Sequence, residues 1–136
     1  MGTWELIDHT GDVGIRVRAG SLADLFATAA RAMYDILVEA PGATAQREDE
    51  IVVEGDGDEL LRAWLAELLY RFSVDEMIYV AFDLEVGAGR LRARAGGQPM
   101  DRAKHGLRTE LKAVTYHGLS LREEGGAWIG AVIFDI

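Results

Sequence analysis

Trp4 to Ile7 alternate apolar with polar, and Val13, Ile15 and Val17 alternate with Gly14, Arg16 and Arg18, so the period is two and two strands are predicted, joined across Asp8 to Asp12. At Ser21 the rhythm changes. Leu22, Leu25, Phe26, Ala29, Met33, Ile36 and Leu37 recur every three or four positions, with Ser21 placed to cap and Asp24 in the first turn, which predicts an amphipathic helix. Pro41 to Asp49 is small and polar and reads as a surface connection before a short strand at Ile51 to Val53, ended by Gly55-Asp56-Gly57. Asp58 then opens a second helix whose Leu61, Trp64, Leu65, Leu68, Leu69 and Phe72 form one apolar stripe that must pack on a sheet or on the first helix.

Val80 to Val86 and Leu91 to Ala95 alternate on either side of Gly87-Ala88-Gly89, predicting a hairpin with one wet face. Opposed residues share a face, so Val86 against Leu91 sets Glu85 against Arg92 and Asp83 against Arg94. The arginine stripe thereby has a structural explanation as a solvated sheet face, without an RNA-binding role. Beyond Gly96-Gly97 the reading is an irregular piece from Gln98 to Gly106, a long extended run from Glu110 to Leu121, a turn at Glu123 to Gly126 and a final strand from Trp128. That last strand is apolar on both faces, which predicts a central place in the sheet. The expected fold class is α+β: a two-layer sandwich with a largely antiparallel sheet covered on one face by two helices.

Composition narrows the function. A chain of 136 residues is the size of one domain, so residues 1–136 are expected to form a single domain around one core. No apolar run reaches the roughly 20 residues of a bilayer span and no signal core is visible, so a soluble, unexported, cytoplasmic protein is expected, with no membrane partner. With 0 Cys, any metal must use carboxylate, imidazole or backbone oxygen. Against 14 Lys+Arg stand 23 Asp+Glu, a formal charge of -9 that repels a phosphate backbone, so no broad nucleic-acid surface is expected. The same charge suits cation binding or a basic partner, and equally a surface that merely keeps the domain in solution.

Two places carry candidate chemistry. Asp8-His9-Thr10-Gly11-Asp12 gathers two carboxylates, an imidazole and a hydroxyl in five residues, a composition that aims oxygens at one spot and also suits an ordinary corner organised by side-chain turns. Asp135 and Ile136 close the last strand, fixing a side-chain carboxylate and the terminal carboxylate at a strand end. If that end lies beside the first corner, Asp12, Asp135 and Ile136 form an all-oxygen site suited to a hard divalent cation, Ca²⁺ or Mg²⁺, rather than zinc. The alternative is a carboxylate pair bonded by Lys104, Lys112 or backbone N–H groups. His9, His105 and His117 match no zinc spacing, while Lys104, Lys112 and His117 are candidates for a phosphate or an acidic group of a partner. No Walker loop or nucleophile elbow occurs, which argues against independent NTP hydrolysis or acyl transfer. A stand-alone metal-dependent phosphohydrolase built on Asp8, His9, Asp12 and Asp135 is the enzymatic rival.

These pieces together resemble the archease family. The resemblance rests on Trp4-Glu5, Asp8-His9-Thr10-Gly11-Asp12-Val13-Gly14, Leu65-Ala66-Glu67-Leu68-Leu69-Tyr70, Lys104-His105, Lys112-Ala113-Val114-Thr115-Tyr116-His117 and Asp135-Ile136, in order from end to end. Gly11, where family members commonly carry Ala, is a small departure that keeps both acids. The resemblance implies no catalysis of its own. It implies an accessory protein of the tRNA-splicing RNA ligase that joins ends through a 3′-phosphate, promoting guanylylation and multiple turnover and widening nucleotide use. It further implies a divalent cation, Ca²⁺ foremost with Mg²⁺ or Mn²⁺ as alternatives, held at Asp12, Asp135 and Ile136. A chaperone role toward tRNA-modifying enzymes is a second family description.

Overall fold

The computed structural model describes residues 2–9 and 11–136, His9 by its backbone alone. In chain order the elements are β1 (Thr3–His9), β2 (Asp12–Ala19), α1 (Leu22–Leu37), β3 (Val38–Glu39), β4 (Arg47–Glu54), α2 (Asp58–Asp75), β5 (Met77–Gly87), β6 (Arg90–Pro99), β7 (Gly106–Leu107), β8 (Ala113–Val114), β9 (Ser120–Glu124) and β10 (Ala127–Asp135). The class is α+β with antiparallel pairing throughout the described strands, as the alternation predicts. The strands divide into a five-stranded sheet ordered β1-β2-β10-β8 with β9 also on β10, a three-stranded sheet β4-β6-β5, and the short pair β3-β7. β10 is central, as its two apolar faces predict, with β2 on one side and β8 and β9 on the other.

α1 starts where Ser21 Oγ accepts from the Asp24 N–H at 3.1 Å. α2 has no side-chain cap at Gly57; Asp58 and Glu59 set negative charge against its N-terminus. Both helices lie on the side of the five-stranded sheet that carries Val13, Ile15, Val17, Val132 and Phe134, and the three-stranded sheet meets the same helices through Ile51, Leu91 and Ala93. Trp64, fully buried, ties the layers: its Nε1 donates to Phe26 O at 3.0 Å and its ring meets Phe82 edge-on at 6.0 Å.

Three boundaries differ from the sequence expectation. β4 begins at Arg47, inside the stretch read as a connection, because an edge strand with Ile51 as its one buried residue carries almost no apolar alternation. β6 continues through Gly96 and Gly97 to Pro99. Those glycines do not end the strand; a Cβ on Gly97 would stand 2.1 Å from Ile78 O, and β5 is irregular there, with its register shifting between Tyr79 and Ala81. The run from Glu110 to Leu121 is not one strand but β8 and β9 on the same edge of β10. Thr115 makes the break: its N–H and Oγ1 both donate to Ile133 O, at 2.9 and 3.0 Å, and Oγ1 accepts from the His117 N–H at 3.2 Å.

The hairpin register is as predicted, with Val86 on Leu91, Glu85 on Arg92 and Asp83 on Arg94. The Arg94 guanidinium nevertheless turns the other way, to Glu48 Oε1 of β4 at 2.8 Å.

Candidate functional site: the open face of the five-stranded sheet

Because β2 buries its odd-numbered residues under the helices, its even-numbered ones share the opposite face with their partners on β1 and β10. Four rows cross that face. Asp12 stands between His9 and Asp135, Gly14 between Ile7 and Ile133, Arg16 between Glu5 and Ala131, and Arg18 between Thr3 and Ile129. The Asp12 row is the acidic corner. Directly opposed residues of an antiparallel pair have Cα atoms about 4.5–5.5 Å apart, so the two carboxylates leave one point of the sheet on the same side. Asp135 is exposed, whereas Oδ1 of Asp12 is shielded from solvent. Opposed like charges repel, an arrangement that a cation or hydrogen-bond donors would relieve.

The floor beneath the pair is built by absence of a side chain. A Cβ on Gly14 would stand 2.9 Å from Val132 O and 3.1 Å from Ile133 Cγ1, so glycine lets Ile7 and Ile133 close over β2 behind Asp12. On the far side β8 sets Ala113 beside Asp135, and the Lys112 N–H donates to Asp135 O at 2.8 Å. The backbone of Ile136 follows directly, the residue as a whole 44% exposed.

The remaining candidates separate. Asp8 pairs with Val13, so it belongs to the other face from Asp12 and Asp135. Thr10 and the His9 side chain lie outside the described residues; the His9 backbone is the register partner of Asp12. His105 is buried and used by the fold: its Nδ1 accepts from the Asp101 N–H at 3.0 Å and its Nε2 meets Pro41 O at 3.2 Å, which assigns the ring proton to Nε2. Lys104, in the turn closed on Asp101, Lys112 and His117 are exposed. Among the described residues, no three of His, Cys, Asp and Glu are grouped to hold a metal. What the strands bring together at this corner are Asp12 and Asp135, with the backbone of Ile136 next in the chain.

Sequence reasoning missed Arg62 of α2. Its Nη1 donates to Val114 O at 3.1 Å and its guanidinium lies 4.2 Å from the Tyr116 ring centroid, pinning the segment that carries Lys112 and His117 beside β10. The available signal was a lone arginine between Leu61 and Trp64, at the edge of the apolar stripe.

The fold and this corner define a small α+β protein with an acidic pair at one end of an open sheet face. The family model described as the Archease protein family (MTH1598/TM1083) matches residues 4–136, and the chain belongs to that family. It is 36% identical to the protein archease of Methanopyrus kandleri, over 98% of this chain and 99% of that one. Against the protein archease of Pyrococcus furiosus the identity is 34%, over the whole of both chains. The solution structure of Methanobacterium thermoautotrophicum protein 1598 superposes with a TM-score of 0.86 at 28% identity, covering 98% of each chain. An archease of Thermotoga maritima, described as a possible chaperone, shares the fold with a TM-score of 0.67 at 18% identity, covering 97% of this chain and 96% of that one. No helix among the described residues is long and apolar enough to cross a membrane.

Proposed function

We propose that this protein is a non-catalytic activator of a tRNA-splicing RNA ligase, working in the cytoplasm to promote the ligase's guanylylation and repeated turnover and to broaden its nucleotide use. The observation that carries the reading is the register of β2 with β10, which sets Asp12 opposite Asp135 at the edge of an open face. Family membership supplies the context, and a formal charge of -9 favours a protein partner over bare RNA. Asp12, Asp135 and the Ile136 oxygens would hold a divalent cation, with Ca²⁺ the first expectation and Mg²⁺ or Mn²⁺ alternatives, since hard oxygen donors fit these ions. When bound, such an ion supplies positive charge for phosphate oxygens. The chain's own part is to hold the two carboxylates rigidly on paired strands, with the exposed Lys112 next to Asp135 through its backbone hydrogen bond.

Guanylylation of the cognate ligase with and without this protein tests the reading. Faster guanylylation and turnover are expected; equal rates contradict it. Incubating the protein alone with divalent metal and RNA or nucleotide addresses the phosphohydrolase rival, and no turnover is expected. A passive chaperone would keep its effect on the partner after Asp12→Ala, whereas the activator loses it.

A further inference from the structure

At the opposite end of the open face the chemistry reverses. The Arg18 row runs Thr3, Arg18, Ile129 and Arg122 across four strands, and the next row runs Glu5, Arg16, Ala131 and Ser120. Three arginines therefore share one face of a chain whose formal charge is -9. Two are already balanced: Arg16 Nη1 meets Glu5 Oε1 at 2.9 Å and Arg122 Nε meets Glu124 Oε2 at 3.0 Å. Arg18 is exposed and has no hydrogen-bond or ion-pair partner among the described residues. It borders a cleft of about 290 Å³ lined by Thr3, Trp4, Glu5, Arg16, Arg18 and Ile129. Ile129 is only 7% exposed yet stands outside the main core cluster, so it forms an apolar floor on the outer face.

We propose that this cleft is a docking site for an acidic surface of the partner protein, with Arg18 receiving a carboxylate; the partner is the ligase, so the inference rests on the function proposed above. A guanidinium fork matches a carboxylate in two parallel hydrogen bonds. A guanidinium beside a desolvated aliphatic floor is the kind of pair found in the energetically dominant part of a protein interface; Trp4, the register partner of Val17, turns its ring to the core instead. A nucleic-acid strand is the poorer fit, because it needs a series of unbalanced cations to displace its counterions, and here two of the three arginines are neutralised by carboxylates of the same sheet, Arg16 by Glu5 of the neighbouring strand and Arg122 by Glu124 of its own. Arg18 lies six residues along β2 from Asp12, about 20 Å in an extended strand. Docking at one end thus leaves the acidic corner free to act at the other.

The division is measurable with the full-length protein and the cognate ligase. Binding of Arg18→Glu and Arg18→Gln to immobilised ligase is compared with the unmodified protein and with Asp12→Ala over a range of NaCl, with thermal melts reporting folding. Arg18→Glu is expected to bind at least about tenfold more weakly, Arg18→Gln by a smaller factor and with a shallower salt dependence, and Asp12→Ala normally. At saturating concentrations the Arg18 variants recover the full guanylylation rate. A folded Arg18→Glu that binds as tightly as the unmodified protein overturns the docking site. So does one that keeps its grip on the ligase and loses affinity for a labelled RNA, which reassigns the cleft to nucleic acid. If the unmodified protein neither binds nor accelerates the ligase, the proposed function fails and the docking inference falls with it.

Discussion

The two faces of the five-stranded sheet are made by the same strands and share almost nothing else. On the helix side Ile15, Val17, Val132 and Phe134 are at most 1% exposed and pack into a core continuous with both helices. On the open side the residues one step out of phase include Asp12, Arg16, Arg18 and Asp135, set around Gly14, Ala131 and the two isoleucines Ile129 and Ile133. A strand's period of two lets one segment serve both tasks without compromise: one parity holds the fold and the other presents charge. Substitutions should therefore sort by parity and not by position along the chain.

The sharpest way to break this comparison is to change neighbours. Phe134→Ala should cost about 3–5 kcal/mol in urea unfolding, because a fully buried ring leaves a cavity, while the adjacent Asp135→Asn should cost under about 1 kcal/mol. Equal losses would refute the separation. Gly14→Ala sharpens it from the open side. Its added carbon must displace Val132 O or Ile133, so a loss of about 1–3 kcal/mol is expected although nothing is removed from the core.

A pH effect is expected from two tyrosines, Tyr34 and Tyr79. Burial holds the Tyr34 hydroxyl, which donates to Met77 O at 3.1 Å, protonated far above its ordinary value, and burial together with the Asp49 hydrogen bond moves Tyr79 the same way. In the unfolded chain these phenols ionise near pH ~10, so above that pH the unfolded state binds fewer protons and stability falls as pH rises. Below it their contribution is constant. Denaturation followed from about pH 8 to about pH 11 should show the fall, and Tyr34→Phe should make it shallower. The smallest effect is expected at Arg94→Ala, about 0.2–1 kcal/mol and weaker in high salt, since both Arg94 and its partner Glu48 are largely exposed.

How much of this was legible follows the same parity rule. The helices, the hairpin register and the central place of β10 were readable because each has a buried face, and burial is what writes periodicity into a sequence. β4 escaped because an edge strand of Arg47, Glu48, Asp49 and Glu50 buries almost nothing. The break at Thr115 escaped because a hydroxyl-to-carbonyl bond leaves no hydrophobic trace. Asp12 and Asp135 were named from composition and resemblance, but their opposition is a long-range register, set by which strand the last one pairs with. Asp8 and His105 show the converse: both looked equally chemical in the sequence, and the fold turns one to the other face and consumes the other in two hydrogen bonds.

The central claim is that the opposed carboxylates, not the fold that carries them, act on the partner. The direct measurement is the rate of ligase guanylylation with saturating Asp12→Asn or Asp135→Asn protein, titrated with divalent cation and paired with a thermal melt of each variant. The account predicts variants that melt within a few degrees of the unmodified protein, bind ligase and fail to accelerate guanylylation at moderate cation concentration. Full acceleration by either folded variant, with an unchanged cation dependence, would contradict it.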